Sequence, residues 1–344
     1  MTFTSIQRMT QQNRQWRVAT VPNDRLSASN FTLETADRPE PAPGQVLCRV
    51  LLISIDAAGR AWFQADTYRR ALRPGDVMPG FAIGQVVASR CDGLSPGDIV
   101  SGDLGWQEYA VADGTKLDRI QPSRPLPNYL SVLGVTGLTA FFGLLEAGGA
   151  RPGETVVVSA AAGATGSIVG QIARLAGCRV VGICGSPEKQ RFLTETLGFD
   201  AVVNHRDPTL REALRSACPS GADVYFDNVG GRTLEVMMGA MGHGGRIVCC
   251  GAVSQYDTNA PMVGVRGVPG YLILRSLTMR GFLLSDYLPR YGAGLKVLER
   301  WLADGSLRPM EEVLEGLEEA PEALVGLLNG ANLGKRMIRV AAQA

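Results

Sequence analysis

Histidine is almost missing from this chain. Of 344 residues, only His205 and His243 carry an imidazole. A catalytic zinc site draws three or four ligands from His, Cys and carboxylates. The seven cysteines, Cys48, Cys91, Cys178, Cys184, Cys218, Cys249 and Cys250, are scattered, odd in number and nowhere spaced C-x-x-C. Free cysteine packs as a small hydrophobe, so the expectation is core thiols and no metal. An excess of charge is lacking too. Lys+Arg number 34 against 33 Asp+Glu, a net +1 with no long basic run. A nucleic-acid binder would show a basic footprint. Long apolar runs are also absent: no segment approaches the ~18 consecutive apolar residues of a spanning helix. The start, MTFTSIQRMTQQNRQWRV, has no apolar signal core. The expectation is a cytoplasmic protein with neither nucleic acid nor membrane as partner.

What is present is a core-forming composition, 45% hydrophobic and 19% charged, over a length that suits about two domains. Residues 1–40 read as polar and Pro-rich towards their end. Short apolar runs punctuated by Gly and Pro follow: Gly44–Ser54, Phe81–Ala88, Asp98–Val100, Trp106–Val111 and Leu117–Ile120. That spacing predicts a compact all-β domain or barrel. Asn128–Ala147 is helix-like, with Gly134 and Gly137 marking a break. From Thr155 strands and helices alternate. The strands are Thr155–Ala160, Arg179–Gly185, Ala201–Asn204, Ala222–Asp227, Gly245–Gly251 and Leu277–Leu284. The helices are Ser167–Ala176, Pro187–Leu197, Pro208–Ala217 and Thr233–Met241, with Ala293–Ala303 closing. Alternation of this kind predicts a parallel sheet with helices on both faces. Glu311–Glu315 and Ala320–Asn329 are expected to return to the first domain.

The stretch RPGETVVVSAAAGATGSIVGQIARLAGCRVVGICGSPEK, Arg151–Lys189, organises the rest. It reads as a βαβ unit with Gly163, Gly166 and Gly170 at the first strand-to-helix turn, where a helix N-terminus meets a dinucleotide pyrophosphate. The spacing is G-x-x-G-x-x-x-G; Ala161 stands where the usual fingerprint has its first Gly. Glycines also serve plain tight turns, so the flanking strands carry the inference. A NAD site usually ends its second strand in a carboxylate. Here that strand ends Gly185-Ser186-Pro187, with Lys189 and Arg191 on the next turn. A small polar residue beside a cation suits a 2′-phosphate, which points to NADP, although Glu188, Lys189 and Arg191 would also suit a solvated helix start.

These residues, with YFDNVGG, CCGAVSQY, NLGK and GVTGLTAFFGL, resemble the zinc-independent medium-chain dehydrogenase/reductases. The branch is that of the prostaglandin, leukotriene and curcumin reductases, also called alkenal or alkenone reductases. The resemblance spans Pro41 to Val340. It implies an α/β chain: a GroES-like β-barrel catalytic domain from both chain ends (1–130 and 304–344) around a Rossmann, doubly wound parallel-sheet domain (131–303). It implies NADPH as cofactor and reduction of the C=C bond of α,β-unsaturated ketones or aldehydes. Gly163, Ala164, Thr165 and Gly166 would hold the pyrophosphate, with Ser186 and Lys189 at the 2′-phosphate. Asn228, the loop Cys250, Gly251, Ala252, Val253 to Tyr256, then Phe282, Leu283, Leu284 and Asn332 would line the remainder. Homodimers joined through the edge of the Rossmann sheet are implied as well.

Two departures stand out. Where the family has N-Y-[KR], this chain has Asn204-His205-Arg206, so His205 or Arg206 is left to meet the phosphate. Where the family has D-P-Y-M-R, this chain has Asp56-Ala57-Ala58-Gly59-Arg60, and Ala58 replaces the Tyr. Ala58, Tyr68 and Tyr256 are the substrate-pocket candidates. Tyr256 is also the candidate catalytic donor to the enolate, with packing as its plainer role and a cofactor hydroxyl or water as other proton sources. An NADPH:quinone oxidoreductase, or a dinucleotide-binding protein without turnover, are the alternatives.

Overall fold

The computed structural model describes residues 12–66, 69–258 and 264–342. The chain divides into two compact units. One comprises 1–130, 312–331 and 336–344, the other 131–311 and 332–335. These limits differ from the division at 131 and 304 drawn above in two places, 304–311 and 332–335.

The first unit opens with β1 (Gln12–Val18) and β2 (Phe31–Asp37), an antiparallel pair in register from Gln12↔Asp37 to Val18↔Phe31. This pair was not expected in the polar N-terminal tract. Its inward face is itself polar. Asn13 and Gln15 are buried, and Asn13 exchanges bonds with the backbone of Tyr109 at 2.9 Å each way. A buried amide with all its partners supplied replaces the apolar alternation that marks a strand. Then follow β3 (Gln45–Ser54), β4 (Phe81–Ser89), β5 (Ile99–Asp103), β6 (Tyr109–Asp113) and β7 (Asp118–Ile120). β3 is buried nearly throughout and pairs antiparallel with β4 and β6. Val46, Val50, Ile53, Met78, Trp106 and Leu324 share its core.

The second unit holds β8 (Thr155–Ser159), β9 (Arg179–Cys184), β10 (Ala201–Asn204), β11 (Ala222–Asp227), β12 (Met241–Cys249) and β13 (Thr278–Gly281). They form one sheet in the order β10-β9-β8-β11-β12-β13, with every neighbouring pair parallel. Strand order reverses between β8 and β11, the switch point at which such sheets bind ligands beyond the strands' carboxyl ends. Val156, Val157 and Val158 of β8 are fully buried, as a central parallel strand covered on both faces requires. Two expectations need correction here. The last strand ends at Gly281, and Leu284–Arg290 is a 3-10 segment, because Pro289 and the packing of Phe142, Tyr287 and Phe282 rings turn the chain out of the sheet. Val268–Arg275, read as no element, is a helix whose Ile273 and Leu274 are exposed. Its inner stripe, Val268, Tyr271 and Leu272, packs only half-buried against the core of this unit, and the apolar Ile273 and Leu274 beside it blur the helical period in the sequence.

Finally β14 (Glu311–Glu315) and β15 (Lys335–Arg339) complete the sheet of the first unit, in the order β14-β15-β3-β4-β5-β7, with β15 antiparallel to β3. The β-barrel-type domain and the doubly wound domain are the α/β architecture expected.

Candidate active site

The glycine turn starts where β8 ends. Ala160 takes φ +47°, and Ala161 and Ala162 are sealed inside. The helix Ala164–Leu175 follows, with Gly163 as its N-cap. Gly163, Ala164, Thr165 and Gly166 are thus the N-cap and first three helical positions, whose N–H groups have no partner within the helix. They carry the positive end of its dipole. A Cβ on Gly166 would lie 2.3 Å from the Ala160 carbonyl oxygen and 2.9 Å from Ala161 Cα. A Cβ on Gly170 would lie 1.9 Å from the Phe199 ring. These two glycines let the helix start lie against the strand end.

The chain returns to this turn near its C-terminus. Gly334 donates its N–H to the Ala162 carbonyl at 2.8 Å and bridges in parallel to Gly163. Asn332 is buried and donates through Nδ2 to the Gly334 carbonyl at 2.9 Å. The N-L-G-K tetrapeptide is therefore part of the same unit as the glycine turn, and Asn332 is brought to it.

At the switch point a buried carboxylate governs the backbone. Asp227 Oδ1 accepts from Tyr225 OH at 2.7 Å, and from Ser159 Oγ, Val229 N–H and Gly230 N–H at 3.0 Å each. Burial pushes the Tyr225 phenol well above its usual range, so it stays a donor. Ser159 Oγ accepts from Asn228 N–H, and Asn228 Nδ2 donates to the Ser159 carbonyl at 2.7 Å. The Asp227 carbonyl accepts from the N–H of Cys250 and Gly251, and the Asn228 carbonyl from Val253. One hub thereby orients Asn228 and the loop from Cys250, both expected at the site. Ser159, Tyr225 and Asp227 themselves escaped the sequence reading. The signal was an Asp closing a buried strand, which must have partners.

Within that loop Tyr256 folds back. Its hydroxyl oxygen accepts from the Ala252 N–H at 3.2 Å and would lie 3.6 Å from a Cβ on Gly251. The ring braces its own loop. Burial pushes the Cys250 thiol up to about 12, which keeps it protonated at neutral pH.

A cationic corner forms where β9 and β10 end. Ser186 caps the next helix, its Oγ accepting from Lys189 N–H. His205 donates its backbone N–H to the Cys184 carbonyl at 2.9 Å. Over Gly185, the position of a Cβ lies 2.9 Å from His205 Cε1, 3.2 Å from its Nε2 and 3.5 Å from Arg206 Nε. Burial first, then the charges of Arg206 and Lys189, hold the imidazole below its ordinary value. Such a corner suits a dianion and needs no carboxylate.

Phe282 packs edge-on to Tyr287, Leu283 is exposed and Leu284 half-buried. Ala58 begins a short helix, Ala58–Ala61, and packs half-buried against the core of the first unit. Arg60, two residues on, is buried and donates to the Asp24 carbonyl at 2.6 Å. Tyr68 lies outside the described residues. Among the described residues no group of three or more His, Cys, Asp or Glu is placed to hold a metal ion, and no helix is long and apolar enough to cross a membrane.

Comparison with known proteins matches residues 14–120 to the N-terminal domain of oxidoreductases and 164–299 to the zinc-binding dehydrogenase domain. The NADPH-dependent curcumin reductase of Escherichia coli is 37% identical over 96% of this chain and 98% of its own. Mouse prostaglandin reductase 1 is 41% identical over 90% of this chain and 94% of its own. The crystal structure of CurA from Vibrio vulnificus in complex with NADPH superposes with a TM-score of 0.90 at 38% identity, covering 96% of this chain and 99% of that one.

Proposed function

This chain belongs to the zinc-independent medium-chain dehydrogenase/reductases, in the branch of the curcumin and prostaglandin reductases, and on that premise we propose that it reduces the C=C bond of α,β-unsaturated ketones or aldehydes with NADPH. The observation that carries the reading is the second unit itself. A glycine turn closed against backbone at Gly166 sits at the sheet's switch point, with a cationic corner of Lys189, His205 and Arg206 at the neighbouring strand ends. When bound, the cofactor supplies a hydride for the β-carbon of the enone, and a proton is then delivered to the α-carbon.

The residues of this chain do the holding. Gly163, Ala164, Thr165 and Gly166 hold the pyrophosphate, the last three on their N–H groups, while the Gly163 N–H donates to the Ala160 carbonyl. Ser186, Lys189, His205 and Arg206 take the 2′-phosphate. Asn228, Cys250–Tyr256, Phe282–Leu284 and Asn332 orient the nicotinamide half, with Asp227 fixing the loops. Tyr256 is proposed as the side chain that stabilises the developing enolate oxygen, its ring held by the Ala252 contact. Ala58 and Tyr68 are proposed to shape the enone pocket, Ala58 by offering only a methyl group. The protein is proposed to act in the cytoplasm as a homodimer. The exposed Ile273, Leu274, Leu283 and Leu288 lie on segments flanking β13, the last strand of the sheet.

NADPH oxidation against enals, enones and quinones, with the product identified, tests this reading. Turnover of enones to saturated ketones is expected. Turnover of quinones alone would make it a quinone reductase, and binding without any turnover would end the enzyme reading. Lys189→Ala should weaken NADPH binding by about 1.5–3 kcal/mol, a lost charged hydrogen bond, and leave NADH nearly unchanged.

A further inference from the structure

Within the cationic corner His205 presents a puzzle of protonation. Its Nδ1 is sealed from solvent and has no hydrogen-bond partner. Its Nε2 lies on the other side, beside Gly185. We propose that His205 selects NADP(H) over NAD(H) as a neutral hydrogen-bond donor through Nε2–H, while Lys189 and Arg206 carry the charge that meets the 2′-phosphate. This rests on the reading of the corner as the 2′-phosphate site.

The groups around the imidazole decide the matter. On its own loop stands Arg206, and on the helix after β9 stands Lys189; both charges act on His205 and both are positive. The Asp207 carboxylate is turned onto Thr209, accepting from its N–H at 2.8 Å and its hydroxyl at 2.7 Å. Glu188, at the start of the Lys189 helix, is exposed. On β9, Cys184 is buried, and burial raises its thiol, which keeps it neutral. No carboxylate is among the influences on the imidazole.

A bound 2′-phosphate brings about −1.5 to −2 charges at neutral pH. Lys189 and Arg206 together bring +2. Once the phosphate has cancelled their field, burial remains, and burial is the larger depressing influence. A second cost persists as well. An imidazolium must donate from both nitrogens, and a proton on the sealed Nδ1 would be a buried donor with no acceptor, costly in itself. The tautomer that avoids this carries its proton on Nε2. In that form the ring donates one hydrogen bond and adds no charge. The sign follows: a histidine held below its ordinary value is neutral above that value, so through neutral and alkaline pH its contribution to selectivity does not titrate away.

The chain has two histidines, so histidine-selective 15N labelling yields two ring systems, and His205→Gln assigns them. At pH 7.5 with saturating NADP+, the expected spectrum shows His205 protonated at Nε2 alone. Calorimetry in buffers of different ionisation enthalpy should show the same proton uptake for wild type and His205→Gln. His205→Phe should weaken NADP+ by about 10–100-fold, one hydrogen bond to a charged group, and leave NAD+ nearly unchanged, while His205→Gln, which keeps an N–H donor, retains most of the affinity. Protonation of both ring nitrogens in the complex, or proton uptake that disappears in His205→Gln, overturns the proposal. So does unchanged discrimination in His205→Phe. Lys189→Ala separates the layers. If it weakens NADP+ and NAD+ equally, the 2′-phosphate site itself is misplaced; if it weakens NADP+ selectively while His205 is an imidazolium, only the neutral-donor assignment fails.

Discussion

Replacing Gly166 by alanine is the most incisive perturbation of the cofactor turn. The added methyl would sit 2.3 Å from the Ala160 carbonyl oxygen, 2.9 Å from the Ala160 carbonyl carbon and 2.9 Å from Ala161 Cα. All three are backbone atoms, so no side chain can swing away. Ordinary contact begins near ~3.4 Å, and the helix start would have to retreat by about 1 Å. Ala161 is fully buried, and strand β8 behind it is packed on both faces, so the helix moves rather than the strand. Overpacking of this kind costs about 2–3 kcal/mol. For a unit of this size that corresponds to a Tm lower by about 5–10 °C. Because the retreating segment carries the N–H groups of Ala164, Thr165 and Gly166, NADPH affinity should fall by at least about tenfold, the weight of one charge-assisted hydrogen bond. Gly163→Ala is the control: its methyl would meet a single atom, the Ala160 oxygen at 3.1 Å, at a φ of −84° open to any residue. It should cost about 1 kcal/mol or less. Differential scanning calorimetry and fluorescence titration with NADPH read both quantities. Wild-type Tm and affinity in Gly166→Ala, or equal damage in Gly163→Ala, would refute the close-approach argument.

Tyr256→Phe separates two roles. If the hydroxyl meets the developing enolate, kcat falls by about 10–1000-fold with NADPH binding intact; if it only braces the loop through Ala252, stability and cofactor KM change and kcat does not. Asp227→Ala strands two hydroxyls and two backbone N–H groups in the interior. Urea denaturation should show a loss of about 3–5 kcal/mol, and an unchanged midpoint would remove Asp227 from its place as the hub. Thiols raised by burial to about 12 at Cys48 and Cys250 and about 11 at Cys178 and Cys218 stay protonated at pH 8. Iodoacetamide should therefore label them slowly in the native protein and faster as pH climbs towards those values; mass spectrometry showing rapid modification of Cys48 at pH 8 would contradict its burial.

The sequence by itself determined what depends on neighbours a few residues apart. Val156–Val158, the glycines at 163, 166 and 170, and the helical spacing after them announce a strand, a turn and a helix, because each is set within one or two turns of chain. Gly185-Ser186 and Lys189 announced the phosphate preference for the same reason. Tertiary structure decided what needs partners distant in the chain. Asn13 reads as a loop residue until Tyr109 satisfies it. Asn332 reaches the glycine turn only because Gly334 bonds Ala162. Asp227 is an ordinary carboxylate in sequence and becomes a hub only when Ser159, on the adjacent strand, delivers its hydroxyl. The ends of β9 and β10 likewise bury His205 and bring it beside Lys189, and burial first, then that charge, governs its proton. Hydrophobic period is a local code, whereas the pairing of buried polar groups is a long-range one, written in geometry that a linear text does not contain.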